Sequence, residues 1–215
     1  DQILQLVLDR KRLCEAVASR IEDGDTVFVD CGTTLMPFCT LLPREMNVTI
    51  VTYALNVANA FSQRDMPNMR LVVLGGLYYA SSDSFGGQDV TTAIRRLGIN
   101  KALISAAGVH AEKGASCFHF HEVAPKQAAI EHAERRILVA DESKLDVMRA
   151  AFAWNLAVEV ARLGGNATLV APADPAETPL WPSEDRGPLG AQLVLVHANS
   201  LGELNRAALD IAASR

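Results

Sequence analysis

Hydrophobic positions along this chain follow two alternating rhythms. Over 3–22 the apolar residues Leu4, Val7, Leu8, Leu13, Ala16, Val17 and Ile21 recur at helical spacing, which predicts an amphipathic helix. Glu22-Asp23-Gly24-Asp25 ends it with turn residues. Short, mostly apolar runs then appear at Val27-Phe28-Val29, Val48 to Thr52, Leu71 to Leu74, Lys101 to Ser105 and Ile137 to Ala140. Runs of this kind read as strands buried on both faces. Helical spacing separates them, at about 33–42, 53–63, 88–97 and 122–135. Pro37 falls in the early turns of the 33–42 helix, where proline is best tolerated. Residues 77–88, rich in Ser, Gly and aromatics, read as a lid or a strand excursion. Strands alternating with helices imply an α/β fold, a parallel open sheet flanked by helices. Right-handed crossovers bring the strand C-termini to one edge, where such sheets bind ligands.

Four segments meet that edge. Asp30-Cys31-Gly32-Thr33-Thr34 ends a strand in a carboxylate, a glycine and two hydroxyls just before a helix. Such a turn gathers backbone N–H groups and suits a phosphate or another small anion. The plainer reading is that Thr33 or Thr34 caps the helix and Gly32 makes the turn. Thr52 to Asn56, Gly75-Gly76 and Asp141-Glu142-Ser143-Lys144 reach the same edge, and a lysine there suits a sugar phosphate or a carboxylate. Lys144 equally reads as a solvated lysine of a first helical turn. Glu122 and Lys126, four apart on a helix, form an ion pair or meet sugar hydroxyls. Cys117, His119 and His121 would share one face of a strand and could host zinc, but no fourth ligand is visible and no metal site is predicted. The alternation with Phe118 and Phe120 also reads as a half-buried strand beside the pocket.

Composition narrows the class. The chain has 215 residues, of which 49% are hydrophobic, so a sizeable core is available. A net charge of −5 and only five lysines make a poor nucleic-acid surface. Four cysteines without a CxxC read most simply as reduced thiols, so a cytoplasmic protein is expected. No apolar run is long enough for a membrane span, and no GxxxxGK[ST] occurs, so neither membrane association nor a nucleotide cofactor is predicted. The first residue is not Met and lies within a helical pattern, so the chain is expected to be a piece of a longer protein.

Beyond Asp146 the character changes. A helix is predicted to Leu163, a strand over Ala167 to Ala171, a loop with five prolines over 172–190, a strand from Gln192 to His197 and a helix over about 200–214. This tail lacks lysine and holds both tryptophans, Trp154 and Trp181. Residues 1–150 are therefore expected to form one domain around the ligand edge, and 151–215 a divergent α/β tail packed on or extending the same sheet.

In combination these motifs resemble the effector-sensing domain of the DeoR family of bacterial transcription regulators. The resemblance rests on Asp30-Cys31-Gly32-Thr33-Thr34, Val51-Thr52-Tyr53-Ala54-Leu55-Asn56, Leu74-Gly75-Gly76, Ser105 to His110, Lys113 to Phe118 and Ala140 to Lys144. It implies a fold like ribose-5-phosphate isomerase and a phosphorylated sugar as inducer, with deoxyribose 5-phosphate favoured. It implies that Gly32, Thr33, Thr34 and Lys144 hold the phosphate and that Asp30, Gly108, Glu122 and Lys126 lie near the sugar. Asn56, Gly75 and Gly76 fall in matching segments, while Tyr53 stands where the family usually has Asn. Operator DNA would be met through an N-terminal winged helix-turn-helix absent from this chain, and a homo-oligomer is expected. The rival reading is a pentose-phosphate isomerase-like enzyme with Glu122 as base over the sugar C2. Residues 106–114 hold Gly108, His110 and Glu112 but no paired aspartates, which favours binding over catalysis.

Overall fold

The apolar runs become neighbours in one sheet. A computed structural model describes residues 2–110, 114–141, 144, 152–153, 167–172 and 193–198. In chain order these form α1 (Gln2–Ala18), β1 (Thr26–Val29), a 3-10 helix (Thr33–Thr40), β2 (Val48–Thr52), α2 (Leu55–Ser62), β3 (Met69–Val73), β4 (Leu77–Tyr79) and β5 (Ser84–Gly86). They continue with α3 (Gln88–Arg96), β6 (Ile99–Ser105), β7 (Gly108–His110), β8 (Gly114–Cys117), α4 (Phe120–His132), β9 (Ala133–Val139), β10 (Phe152–Ala153), β11 (Ala167–Pro172) and β12 (Leu193–Ala198). Among the described residues no helix is long and apolar enough to cross a membrane.

Seven of the described strands lie in the order β12-β11-β9-β6-β1-β2-β3. All neighbouring pairs are parallel except β11 with β12. β1 is central because both its faces are apolar: Val27, Phe28 and Val29 are fully buried. The chain leaves β1 towards β2 and β3, then returns through β6 to its other side. The loops after β1 and β6 therefore part in opposite directions, which opens a crevice between Val29 and Leu103, partners in the register. Phe38 and Phe61 meet edge-on at 6.1 Å and join the 3-10 helix and α2 to this core.

Several predicted elements take another form. The helix expected over 33–42 is a 3-10 helix over Thr33–Thr40, with Pro37 inside it. Pro37 has no N–H to give to an α-type bond, and Gly32 makes no side-chain cap. α1 stops at Ala18, and Ser19 donates from its hydroxyl to the Ala16 carbonyl. Leu13, Ala16 and Val17 are buried, whereas Val7 and Leu8 are exposed. Residues 77–86 form an antiparallel hairpin of β4 and β5, the strand excursion rather than an irregular lid. The strand expected through His121 ends at Cys117, and α4 starts at Phe120. Cys117, His119 and His121 therefore share no strand face, and among the described residues no group of three metal-binding side chains forms. The helix expected over 146–163 does not hold at its described residues, where Phe152 and Ala153 form β10, which pairs with Cys117 and Ser116 of β8. The rest of that segment, the helix expected over 200–214, the proline-rich loop beyond Pro172, and Glu112, Lys113, Glu142 and Ser143 lie outside the described residues.

Candidate functional site

The crevice between β1 and β6 holds a fully buried carboxylate. Asp30 follows β1 directly, and Ser105 ends β6 beside it. Asp30 Oδ2 accepts from the Ser105 backbone N–H at 2.9 Å and from Ser105 Oγ at 2.6 Å. It also accepts from Lys126 Nζ, which α4 delivers from above. Tyr53 donates its phenol to Asp30 Oδ1 at 2.6 Å and stacks on Phe28 at 5.8 Å. Burial alone would raise the Asp30 carboxyl, but the Lys126 charge and the bonds from Lys126, Ser105 and Tyr53 hold it below its ordinary value. Burial likewise works against the Lys126 ammonium, yet Asp30 beside it keeps it above its ordinary value. Both groups are thus ionised and committed to each other. Burial, followed by the Asp30 charge, pushes the Tyr53 phenol and the Cys31 thiol up, so neither offers a nucleophile.

Gly32 has a packing reason as well as a turn. A Cβ there would lie 2.0 Å from Ser105 Oγ and 2.3 Å from Ser105 Cβ. The glycine lets β1 and β6 approach closely enough for Ser105 to reach Asp30.

Above this floor lies a cavity of about 320 Å³. One wall is the threonine turn. Lys144 Nζ donates to Thr34 Oγ1 at 2.5 Å and stands 3.8 Å from Asp141 Oδ2. Burial lowers the Lys144 ammonium, only partly opposed by Asp141, so a dianion there would restore what burial removes. The facing wall is α4. Glu122 lies 3.6 Å from Lys126, and burial raises its carboxyl despite that cation. The hairpin loop Ala80 to Asp83 closes the third side. His121 Nε2 bonds Ser82 Oγ at 2.8 Å, and its ring stacks on Tyr79 at 3.7 Å. Asp83 takes a positive φ of 48° and accepts the Leu55 N–H at 2.8 Å, which ties the loop to α2.

Of the residues singled out in the sequence, Gly32, Thr33, Asn56, Glu122, Lys126 and Lys144 line the cavity. Asp30, Thr34 and Tyr53 are fully buried behind the lining, as its support. Gly75, Gly76 and Gly108 are not among the lining residues. Gly75 and Gly76 are exposed beyond β3, and a Cβ on Gly76 would meet the Gly86 carbonyl at 2.6 Å. Gly108 accepts the Ser116 hydroxyl at 3.2 Å in the small β7–β8 ladder. For Gly75 and Gly76 strand position explains this: β3 is an edge strand, two places from β1. Ser105, Ser82 and His119 also line the cavity; each falls in a segment singled out in the sequence, but none reads there as a ligand-site residue.

The profile of the DeoR C-terminal sensor domain matches residues 7–158. The deoxyribose operon repressor of Escherichia coli (strain K12) is 34% identical over 151 residues, 70% of this chain and 59% of that protein. The HTH-type transcriptional regulator IolR of Bacillus subtilis (strain 168) is 36% identical over 137 residues, 63% of this chain and 54% of that protein. The chain thus spans between half and two thirds of the length of these relatives. Among solved structures, ribose 5-phosphate isomerase A from Methanocaldococcus jannaschii superposes with a TM-score of 0.48 at 13% identity, covering 86% of this chain and 77% of that one. With the profile matched from residue 7 to residue 158, well over half its length, this chain belongs to the DeoR C-terminal sensor-domain family.

Proposed function

We propose that the cavity binds a phosphorylated sugar, deoxyribose 5-phosphate being the favoured effector, and that the whole protein is a repressor governed by its occupancy. The carrying observation is Lys144 beside Thr34, at the open turn of a cavity whose facing wall presents Glu122. A phosphate suits the first corner and sugar hydroxyls suit the second. The volume is at the small end for ligand pockets, which fits a pentose phosphate better than a dinucleotide. Names of relatives such as the deoxyribose operon repressor support the same reading.

Binding without turnover is favoured over isomerisation. An isomerase would need a base over C2 and a cation or N–H donors for the enediolate. Glu122 could supply the base, but the Lys126 ammonium is locked on Asp30 and the Ser105 carbonyl. The relatives named as repressors and regulators support the same view. Residues 1–150 are read as the sensing domain and 151–215 as an extension of its sheet, supported by β11 beside β9. A cytoplasmic homo-oligomer that contacts operator DNA through a segment outside this chain completes the reading.

Calorimetric titration with deoxyribose 5-phosphate and ribose 5-phosphate, with NMR following each sugar, tests it. Saturable binding without conversion is expected. Lys144→Ala should weaken it by about tenfold to a hundredfold, the worth of a charge-assisted bond. Conversion of either sugar would overturn the sensor reading, and absence of binding by both would overturn the assigned effector.

A further inference from the structure

Arg10 does not line the cavity, yet it reaches the phosphate corner. It sits midway along α1. Its Nε donates to Asp141 Oδ2 at 3.1 Å, and its Nη1 donates to Thr33 Oγ1 at 3.5 Å. Lys144 approaches the same Asp141 oxygen at 3.8 Å. One carboxylate, 1% exposed, thus holds two cations drawn from elements 134 positions apart (144 − 10). These three groups sum to one positive charge, where a sugar phosphate brings about −1.5 to −2. A single lysine does not match that dianion, whereas a lysine and a guanidinium fork together do. α1 touches the turn a second time, because Cys14 Sγ donates to the Thr34 carbonyl at 3.2 Å.

We infer that Arg10 is a further phosphate-binding residue of this site, exchanging Asp141 for the phosphate when the effector binds, so that α1 reports occupancy. This rests on the sugar-phosphate reading above. Asp141 holds the fork close to Thr33. An arriving phosphate competes for the fork at short range, and Lys144 stays as the second cation. The movement needed is a change of partner rather than a large swing, and it loads the helix directly.

The test uses this chain and deoxyribose 5-phosphate. Arg10→Gln should weaken binding by about tenfold to a hundredfold, as for a lost charged bond. Arg10→Lys, which keeps the charge but not the fork, should be weakened several-fold and serves if the first variant fails to fold. Lys11→Gln removes the same charge one residue along, where the lysine is exposed and 4.0 Å from Glu15, and should bind like the parent. Hydrogen exchange across residues 2–18 should slow on saturation in the parent chain and not in Arg10→Gln. Parent-like affinity in Arg10→Gln and Arg10→Lys, or α1 exchange indifferent to ligand, would overturn the inference alone. Failure of the parent chain to bind would overturn the effector reading and this inference with it.

Discussion

Lys126→Met should cost about 3–5 kcal/mol of folding stability, the usual loss when one partner of a buried ion pair is removed. The methionine keeps most of the apolar stem, so the deficit reports the charge. Asp30 would remain fully buried with Ser105 and Tyr53 as donors but without its cation. The pH dependence gives a second reading with a definite sign. In the parent chain the folded Asp30 carboxyl titrates below its unfolded value of 3.8. Its contribution is therefore present above that value and is lost as pH falls through the lower folded one. In Lys126→Met the folded carboxyl moves above the unfolded value. The variant then carries a penalty at neutral pH that is relieved on acidification. Urea denaturation midpoints of the two proteins should converge as pH drops from neutral towards 4. Adding Asp30→Asn to Lys126→Met should cost less than the sum of the two single changes, since no unpaired charge is left. A loss under about 1 kcal/mol in the single variant would show that the pair contributes nothing beyond packing.

Gly32→Ala should be the second most damaging change, although it adds one methyl group. The new Cβ would be 2.0 Å from Ser105 Oγ, and the clash falls on Ser105 Cβ as well. Rotating the hydroxyl away does not relieve it, so β6 must shift or Ser105 must leave Asp30. Overpacking of this kind costs about 1–3 kcal/mol, and a lost bond to a carboxylate adds to it. Effector affinity should fall too, since the turn and the Asp30 floor move together. Gly75→Ala is the matched control: nothing lies within 4 Å of its Cβ, and it should unfold like the parent. Ser105→Gly should restore much of the packing in Gly32→Ala. Melting curves of the four proteins decide the matter. Parent-like stability in Gly32→Ala would mean that the glycine serves ligand approach alone.

The local pattern of the chain carried the strands of the main sheet, the parallel sense of all but β12, and the turn at Asp30 to Thr34. Each depends on contiguous residues: apolar runs buried on both faces, helical spacing between them, and a glycine with hydroxyls at a strand end. The 3-10 helix was less legible, because Pro37 weighs on one bond while burial of Leu35 and Phe38 holds the segment in place. The break between Cys117 and Phe120 was hidden by a polar and apolar alternation that continues into α4.

What the tertiary structure alone decided is which edge residues share a cavity. Lys126 meets Asp30 across 96 positions and Lys144 meets Thr34 across 110, distances at which no sequence period acts. Strand order puts β6, not β3, next to β1 in the crevice, so Ser105 enters the site and Gly75 and Gly76 stay outside it. Arg10 reaches Thr33 only because α1 crosses the threonine turn. The sequence alone determined where strands end in glycines, hydroxyls and charges, because hydrophobic period and turn residues act over a few positions. The pairing of those ends was settled by the packing of the whole sheet, because burial is a property of all its strands at once.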